Sequence, residues 1–136
     1  MKLIYNCTVI FLLTFFLLIP FILVFIFLSI TSRGPVLYWS TRVGRNNDSF
    51  EMPKFRTMSL DTPEIASHLI NEKKINLIFG GNFLRKTSLD EIPQLWSILK
   101  GDMSLVGPRP ALYNQKDLIK LRTIKGIHKI KPGITG

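Results

Sequence analysis

Two carboxylates stand side by side at Asp90 and Glu91, just before Pro93, in a chain of formal net charge +9. Ser88 and Glu91 match the S-x-x-E capping box, which would make both acids ordinary residues of a helix start. If Asp90 is the helix cap instead, Pro93 takes the third helical position, whose N–H has no intrahelical partner. Both carboxylates then lie at the positive end of the helix, where backbone N–H groups can bind a phosphate. The pattern therefore leaves a helix cap and a phosphate-handling site open.

Cations in other parts of the chain suit the phosphate site. Arg109 lies between Pro108 and Pro110, whose restricted backbone should present the guanidinium for bidentate phosphate binding. Lys54 and Arg56 lie in the segment "KFRTM". Two carboxylates with these cations suit a pyrophosphate and Mg²⁺, which prefers hard oxygen ligands. A carboxylate can also attack phosphorus itself and form a covalent intermediate.

The N-terminal part of the chain is predicted to lie in a membrane. No charged residue occurs between Leu3 and Ser32, and the run from Cys7 to Ile30 is almost wholly apolar. As a helix this run would be roughly 36 Å long, enough to cross the hydrocarbon of a bilayer. It is longer than the apolar core of a cleaved signal peptide, and no small-x-small cleavage site follows it. We therefore predict a membrane-embedded unit at residues 1–32 and a cytoplasmic catalytic domain at residues 33–136.

Pro20 lies in the middle of the apolar run and leaves two paths open. Proline removes one backbone hydrogen bond and should kink the helix. One path is a kinked helix that spans the membrane, and the other is a re-entrant hairpin that returns to the side from which it came. Several arginines after the run, from Arg33 to Arg45, place at least its downstream side in the cytoplasm.

The rest of the chain predicts a compact, mainly α domain with a small β-hairpin. Residues 36–39 and 50–55 flank the polar run "GRNND" and should pair as two strands closed by an Asn-rich turn. An isolated hairpin is marginal in water, so it must pack against another element.

Helix signals follow the hairpin. The segment from Asp61 predicts a helix that runs to about Lys74, and "FGGNF" at residues 79–83 should interrupt the helical pattern. Gly101 should end the helix that begins at the two acids, and residues 101–110 should follow as a loop. The run from Lys116 to Lys131 has six basic residues and one acid, which indicates either a surface against anionic lipid headgroups or a solvated charged face.

Four blocks, taken in order, resemble the bacterial sugar transferase family. Members are small monotopic phosphoglycosyl transferases that begin glycan assembly on polyprenyl phosphate. The resemblance covers the chain from the apolar segment to its last residue. The blocks are "GPVLYWSTRVG" at 34–44, "KFRTM" at 54–58, "RKTSLDEIPQLWSILKGDMSLVGPRP" at 85–110 and "KPGITG" at 131–136.

The resemblance implies a role for each matching residue. Asp90 would be the nucleophile that attacks the sugar-bearing phosphorus of a UDP-sugar and releases UMP. Glu91 would assist at the metal or as a proton acceptor for the polyprenyl phosphate, and both carboxylates are expected at a Mg²⁺ cofactor. Lys54, Arg56 and Arg109 would hold the diphosphate. The implied partners are a UDP-sugar, polyprenyl (undecaprenyl) phosphate and membrane lipids, without nucleic acid.

The resemblance also bears on the membrane segment. The family's membrane element is a re-entrant helix broken at a Ser-Pro pair, which favours re-entrance here, with both ends at the cytoplasmic face of the bacterial inner membrane. In this chain the pair reads Ile19-Pro20, so the serine is absent. Members typically continue for several tens of residues beyond "KPGITG", so we expect a C-terminally truncated member.

Two other classes of function are weighed against the enzyme. One is a catalytically inactive truncated homologue, and the other is a membrane-anchored basic protein that binds a partner or a nucleic acid. The second is disfavoured because no nucleic-acid motif occurs and the basic residues are not interleaved with stacking aromatics. Cys7 is the only cysteine, which excludes an internal disulfide framework and a cysteine-rich zinc site. The motifs specify neither the sugar nor the glycan pathway.

The re-entrant path predicts that both ends of the apolar segment are cytoplasmic. Single cysteines placed near Lys2 and near Arg33, in a Cys7-free background, should both resist a membrane-impermeant thiol reagent in intact cells. Labelling of the Lys2 side alone would show an ordinary membrane span instead.

Overall fold

The computed structural model describes residues 2–62 and 76–136. These residues form helices, a three-stranded sheet and a two-stranded sheet. Short 3₁₀ helices lie at Arg45–Asn47, Leu89–Gln94 and Ile127–Lys129. The other elements are α1 (Lys2–Thr31), β1 (Leu37–Val43), β2 (Ser49–Phe55), α2 (Gly81–Lys86), α3 (Leu95–Leu99), β3 (Ser104–Val106), β4 (Ala111–Leu112), α4 (Lys116–Ile124) and β5 (Gly133–Thr135).

Helix α1 is the apolar N-terminal segment. It continues as one helix through Pro20, and its residues Thr14–Thr31 are long and apolar enough to cross a membrane. Most large apolar side chains along this helix, such as Phe15 and Phe16, are exposed, as expected for side chains that face lipid. The re-entrant path of this segment remains a prediction.

The C-terminal third of α1 packs on the rest of the protein. Val24 and Leu28 are buried, four residues apart on one face of the helix, and they join a core that includes Phe55 at the end of β2 and Leu84 in α2. The Phe21 ring also lies 5.1 Å from the Phe55 ring, measured between centroids. The hairpin is thus anchored to the end of the membrane helix.

The predicted β-hairpin is confirmed. Strands β1 and β2 are antiparallel, with Leu37 opposite Phe55 and Val43 opposite Ser49. The turn uses Asn46 and Asn47 with positive φ, a conformation that asparagine tolerates better than most residues. Strand β4 pairs with the other edge of β1 to complete a sheet of order β2-β1-β4, an addition that the sequence patterns did not predict.

The expectation of a loop throughout residues 101–110 is wrong in part. Gly101 does lie just past α3, in a left-handed conformation (φ 88°), but β3 follows and pairs in parallel with β5. The partner strand is distant in sequence, so local patterns could not show it. Where the chain leaves β3, Gly107 and Gly133 bring two backbones so close that a side chain on either would collide with the other segment. The Pro108–Pro110 segment is therefore tied to the "KPGITG" block.

The predicted interruption at residues 79–83 is confirmed in part, because Phe79 and Gly80 lie in a turn. Gly80 has φ 75° and directly precedes α2, so residues 81–83 are helical, which was not predicted. A Cβ on Gly81 would collide with the Thr57 carbonyl, which explains the glycine at this tight junction. The helix predicted from Asp61 to about Lys74 lies mostly outside the described residues.

The basic C-terminal run is a surface element. Helix α4 has no buried residue, and its polar and apolar side chains are exposed or half-buried. It is held against the hairpin turn, where the Asn47 side-chain amide donates to the Thr123 hydroxyl at 3.0 Å. The predicted surface position is thus confirmed, and both predicted alternatives, a lipid-facing and a solvated face, require it.

Candidate active site

A cavity of about 700 Å³ opens between the hairpin, α2, the Leu89–Gln94 helix, the Pro108–Pro110 segment and α4. The structure brings all five sequence-predicted polar residues to its wall. They come from three separate parts of the chain: Lys54 and Arg56, Asp90 and Glu91, and Arg109. The cavity is large enough for a substrate of small-molecule size.

Asp90 is buried, with only 8% of its surface exposed, whereas Glu91 is half-buried. They are the second and third residues of the 3₁₀ helix Leu89–Gln94, and both precede the buried Pro93. Burial raises the pKa of Asp90 above its usual value, and the adjacent Glu91 carboxylate raises it further. Lys54, a backbone hydrogen bond and Arg85 oppose this rise in the pKa, in that order. The neighbouring cations Lys54 and Arg85 thus favour the ionised form of Asp90.

Ser88 takes the cap position of this helix, with φ 57°, but the side-chain bond of a capping box is absent. Asp90 is not the cap, since it lies inside a 3₁₀ turn in which the Glu91 N–H donates to the Ser88 carbonyl at 3.1 Å. A six-residue 3₁₀ helix also lacks the long aligned dipole on which the predicted phosphate site was based. The acids are held by burial and by charged partners.

Glu91 is paired with Arg109 across the cavity wall. The Arg109 Nη2 atom donates to Glu91 Oε1 at 3.0 Å, with the Arg109 side chain 68% exposed. An exposed ion pair of this kind adds little to stability. Because the Arg109 side chain is mostly exposed, its guanidinium is accessible to a ligand in the cavity.

Lys54 lies on β2 beside the two carboxylates. Burial lowers the pKa of its ammonium group, as does Arg42 on the neighbouring strand. Asp90 and Glu91 act in the opposite direction on this pKa, since their negative charges favour the ammonium form. Lys54 and the carboxylates therefore interact electrostatically inside the cavity, as the sequence predicted for a charged site.

Arg56 also reaches the cavity, but its guanidinium is held at the end of α1. It is only 6% exposed, and its Nη2 atom donates to the Ser32 hydroxyl at 3.3 Å and to the Arg33 carbonyl. Its Nε and Nη1 atoms have no hydrogen-bond partner within the described ranges. Arg56, which was predicted to bind the diphosphate, thus lines the cavity, but its link to the end of α1 was not predicted.

Three further arginines line the cavity and were not predicted as site residues. Arg42 Nη1 donates to the Pro110 carbonyl at 3.3 Å, and Arg122 Nη1 donates to the Arg109 carbonyl at 2.8 Å. Together they hold the carbonyls of Arg109 and Pro110. Arg85, on α2, acts on the Asp90 carboxylate through its charge. Arg85 lies only five residues before Asp90, which was an available signal, but Arg42 and Arg122 are recognised only once the fold brings them together.

The carboxylate pair is compatible with Mg²⁺. No group of three or more acidic, histidine or cysteine side chains occurs in the part of the chain that is described. Mg²⁺ commonly needs only one or two protein carboxylates when substrate phosphates supply further oxygens. The negative charge of Glu91 raises the pKa of Asp90, and a divalent cation bound between the two carboxylates would relieve this repulsion.

Comparisons with known proteins give a consistent result. A sequence model described as bacterial sugar transferase matches residues 1–136. The chain is 34% identical, over 88% of its length, to the UDP-galactose-lipid carrier transferase of Erwinia amylovora, of which the match covers 28%. It is 38% identical, over 79% of its length, to a UDP-glucose:undecaprenyl-phosphate glucose-1-phosphate transferase of Escherichia coli, with 24% of that protein covered.

A third relative carries a different sugar in its name. The chain is 33% identical, over 82% of its length, to the UDP-N-acetylgalactosamine-undecaprenyl-phosphate N-acetylgalactosaminephosphotransferase of Aeromonas hydrophila, with 27% of that protein covered. The chain thus spans about a quarter of the length of these three relatives.

The contact from Arg122 to the Arg109 carbonyl generates a prediction about the loop. Arg122→Gln should remove about 1 kcal/mol of local stabilisation, because one charge-assisted hydrogen bond on a half-buried surface is lost. Amide hydrogen exchange at Gly107 and Arg109 should accelerate roughly fivefold, since local opening becomes easier by that amount.

Arg45→Gln is the matched control, because Arg45 is an exposed arginine of the hairpin turn that does not line the cavity. Equal acceleration in both variants would show that Arg122 does not hold this loop.

Proposed function

The chain belongs to the bacterial sugar transferase family, and we propose that it transfers a phosphosugar from a UDP-sugar to polyprenyl phosphate at a membrane. The observation that carries this proposal is the buried Asp90 carboxylate beside Glu91, in a cavity whose wall is rich in arginine and lysine. Such a wall suits the negative charge of a nucleoside diphosphate, and the carboxylate supplies a nucleophile for phosphorus. The printed names of the relatives describe transfers of the same kind.

The donor diphosphate binds between Lys54 and Arg109. Lys54 is partly buried on β2 next to the carboxylates, and Arg109 presents an accessible guanidinium from the opposite wall. Arg42 and Arg122 hold the Arg109 segment by its carbonyls, which fixes the position of that guanidinium at little entropic cost during binding. The attraction between these cations and the diphosphate is stronger than in bulk water, because the cavity wall excludes part of the solvent.

In the first step an oxygen of the Asp90 carboxylate attacks the sugar-bearing phosphorus. A phosphorus–oxygen bond forms to Asp90 as the bond to the bridging oxygen of UMP breaks, and UMP leaves with the electron pair. Lys54 and Arg109 stabilise the negative charge that develops on the phosphoryl oxygens and on the leaving group. Burial of Asp90 keeps water from the new acyl phosphate, which would otherwise hydrolyse.

In the second step the phosphate of polyprenyl phosphate attacks the same phosphorus. A new phosphorus–oxygen bond forms to the acceptor, the bond to Asp90 breaks, and the carboxylate is restored. Glu91 accepts a proton from an acceptor that arrives singly protonated, and its pairing with Arg109 keeps it close to the reacting groups. The product is a polyprenyl diphosphate sugar, so atoms and charge balance over the two steps.

Asp90 and Glu91 would hold a Mg²⁺ ion together with the donor phosphates. When bound, the ion would neutralise charge on the diphosphate. The pair fits this role because two carboxylates and substrate oxygens satisfy the ion without a third protein carboxylate.

The membrane setting follows from the attachment of the cavity to α1. We propose that α1 is a re-entrant element of the bacterial inner membrane, with both ends and the catalytic domain on the cytoplasmic side. The lipid acceptor then reaches the cavity from the bilayer, and the basic helix α4 faces anionic headgroups. The relatives carry names with galactose, glucose and N-acetylgalactosamine, so the proposal covers UDP-sugars as a class.

The proposed nucleophile predicts a clear difference between the two acids. Asp90→Asn should abolish release of UMP from a UDP-sugar, because a neutral amide is not a competent nucleophile towards phosphorus and cannot form the acyl phosphate. Glu91→Gln should slow turnover without abolishing it, since the nucleophile is still present. A coupled assay of UMP release, with polyprenyl phosphate in detergent or nanodiscs, measures both.

Asp117→Asn, an exposed acid at the start of α4, is the matched control and should keep wild-type activity. Thermal unfolding of each variant separates loss of activity from loss of fold. Turnover by a folded Asp90→Asn protein would contradict the assignment of the nucleophile.

A further inference from the structure

Arg56 has binding capacity that the fold does not use. It is 6% exposed, and one of its terminal nitrogens, Nη2, is satisfied by Ser32 and by the Arg33 carbonyl. The other two nitrogens, Nε and Nη1, are buried without a hydrogen-bond partner among the described residues. A buried guanidinium with unpaired donors is unfavourable, so an anion that pairs with these nitrogens would bind strongly.

The position of Arg56 separates it from the donor site. It follows Lys54 by two residues at the end of β2, so the two side chains lie on one side of the chain, about 6–7 Å apart along the strand direction. Lys54 lies beside Asp90 and Glu91, whereas Arg56 contacts the residues that directly follow α1. Arg56 is thus the cavity cation at the end of the membrane helix, whereas Lys54, Arg85 and Arg109 lie at the carboxylates.

Gly34 keeps the backbone clear of the free nitrogen. It has φ +99°, and a Cβ at this position would lie 2.8 Å from Arg56 Nη1 and 3.5 Å from Leu60 Cδ1. Any side chain here would press on the guanidinium. The positive φ and the missing side chain let the backbone at Gly34 pack directly against Nη1, which is buried at the end of the cavity nearest α1.

Apolar side chains surround this end of the cavity. Met58 and Leu60 line it together with Arg56, and Leu60 is 69% exposed. Ile30, in the last turn of α1, is 80% exposed. A buried cation next to exposed apolar side chains at the end of a membrane helix fits an amphipathic ligand with an anionic head and a hydrocarbon tail.

We propose that Arg56 binds the phosphate of the lipid acceptor, a long-chain isoprenyl phosphomonoester, rather than the donor diphosphate that the resemblance implied for it. Lys54 and Arg109 bind the donor diphosphate. This inference rests on the proposed function and divides its cavity into two phosphate subsites. A phosphomonoester is anionic near neutral pH, and its oxygens match the parallel donors of a guanidinium. The isoprenoid chain leaves past Leu60 and Ile30 towards the bilayer.

Steady-state kinetics in nanodiscs test the division of the cavity. Arg56→Gln should raise KM for the isoprenyl phosphate about tenfold to a hundredfold, the value of a charge-assisted hydrogen bond, and raise KM for the UDP-sugar much less. Lys54→Gln should give the opposite pattern. Arg45→Gln, an exposed arginine away from the cavity, controls for total charge. Equal effects of Arg56→Gln on both KM values, or no larger effect than Arg45→Gln, would overturn the proposal.

Ligand binding without turnover keeps the test independent of the proposed reaction. A water-soluble short-chain isoprenyl phosphate should raise the melting temperature of the wild-type protein, and this shift should shrink in Arg56→Lys, which keeps the charge but loses the planar pair of donors. Inorganic phosphate at the same concentration should give a smaller shift, because the apolar contacts are missing. If inorganic phosphate stabilises the protein as well as the isoprenyl phosphate does, the site binds a free anion and not a lipid head.

Different results would contradict the proposed function and the proposed acceptor site. Absence of UMP release by the wild-type protein would contradict the proposed function. An isoprenyl phosphate shift that is unchanged in Arg56→Lys and Arg56→Gln would contradict the acceptor site, even if UMP release is normal.

Discussion

The charge of Asp90 is the constraint on which the rest of the site depends. A carboxylate that is buried and next to a second carboxylate tends to take up a proton, because both burial and the neighbouring charge disfavour ionisation. Lys54, a backbone hydrogen bond and Arg85 oppose this tendency, and the two cations come from different elements: Lys54 from β2 and Arg85 from α2. The hairpin, α2 and the 3₁₀ helix must therefore pack together to bring these cations to the carboxylate.

Two tertiary features maintain this arrangement. The core of Val24, Leu28, Phe55 and Leu84 fixes β2 and α2 to the last turns of α1, which sets the distance of the cavity from the membrane helix. On the other side, the close contact of Gly107 with Gly133 and the arginine bonds to the carbonyls of residues 109–110 hold the loop that carries Arg109. The cations of the site are thus fixed by backbone contacts as well as by side chains, which suits binding without large rearrangement.

Residue types and local patterns predicted much of the site but little of its construction. The hairpin followed from a polar Asn-rich turn between apolar runs, and the polar residues of the site followed from the resemblance of the four blocks. The capping bond of Ser88 and the cap at Asp90 were predicted wrongly because a capping motif and a 3₁₀ turn use the same residues, and only the positive φ of Ser88 distinguishes them. The β3–β5 pairing and the roles of Arg42 and Arg122 depend on contacts between residues far apart in sequence, which local patterns do not encode.

The central claim is that Asp90 carries the phosphosugar covalently between two half-reactions. The most direct measurement is intact-protein mass spectrometry after rapid quench of the wild-type protein with a UDP-sugar and Mg²⁺ in the absence of acceptor, followed by peptide mapping. The account predicts a mass gain of one phosphosugar on the peptide that contains Asp90, which disappears when polyprenyl phosphate is added. A protein that turns over without such an adduct, or with the adduct on another residue, would contradict it.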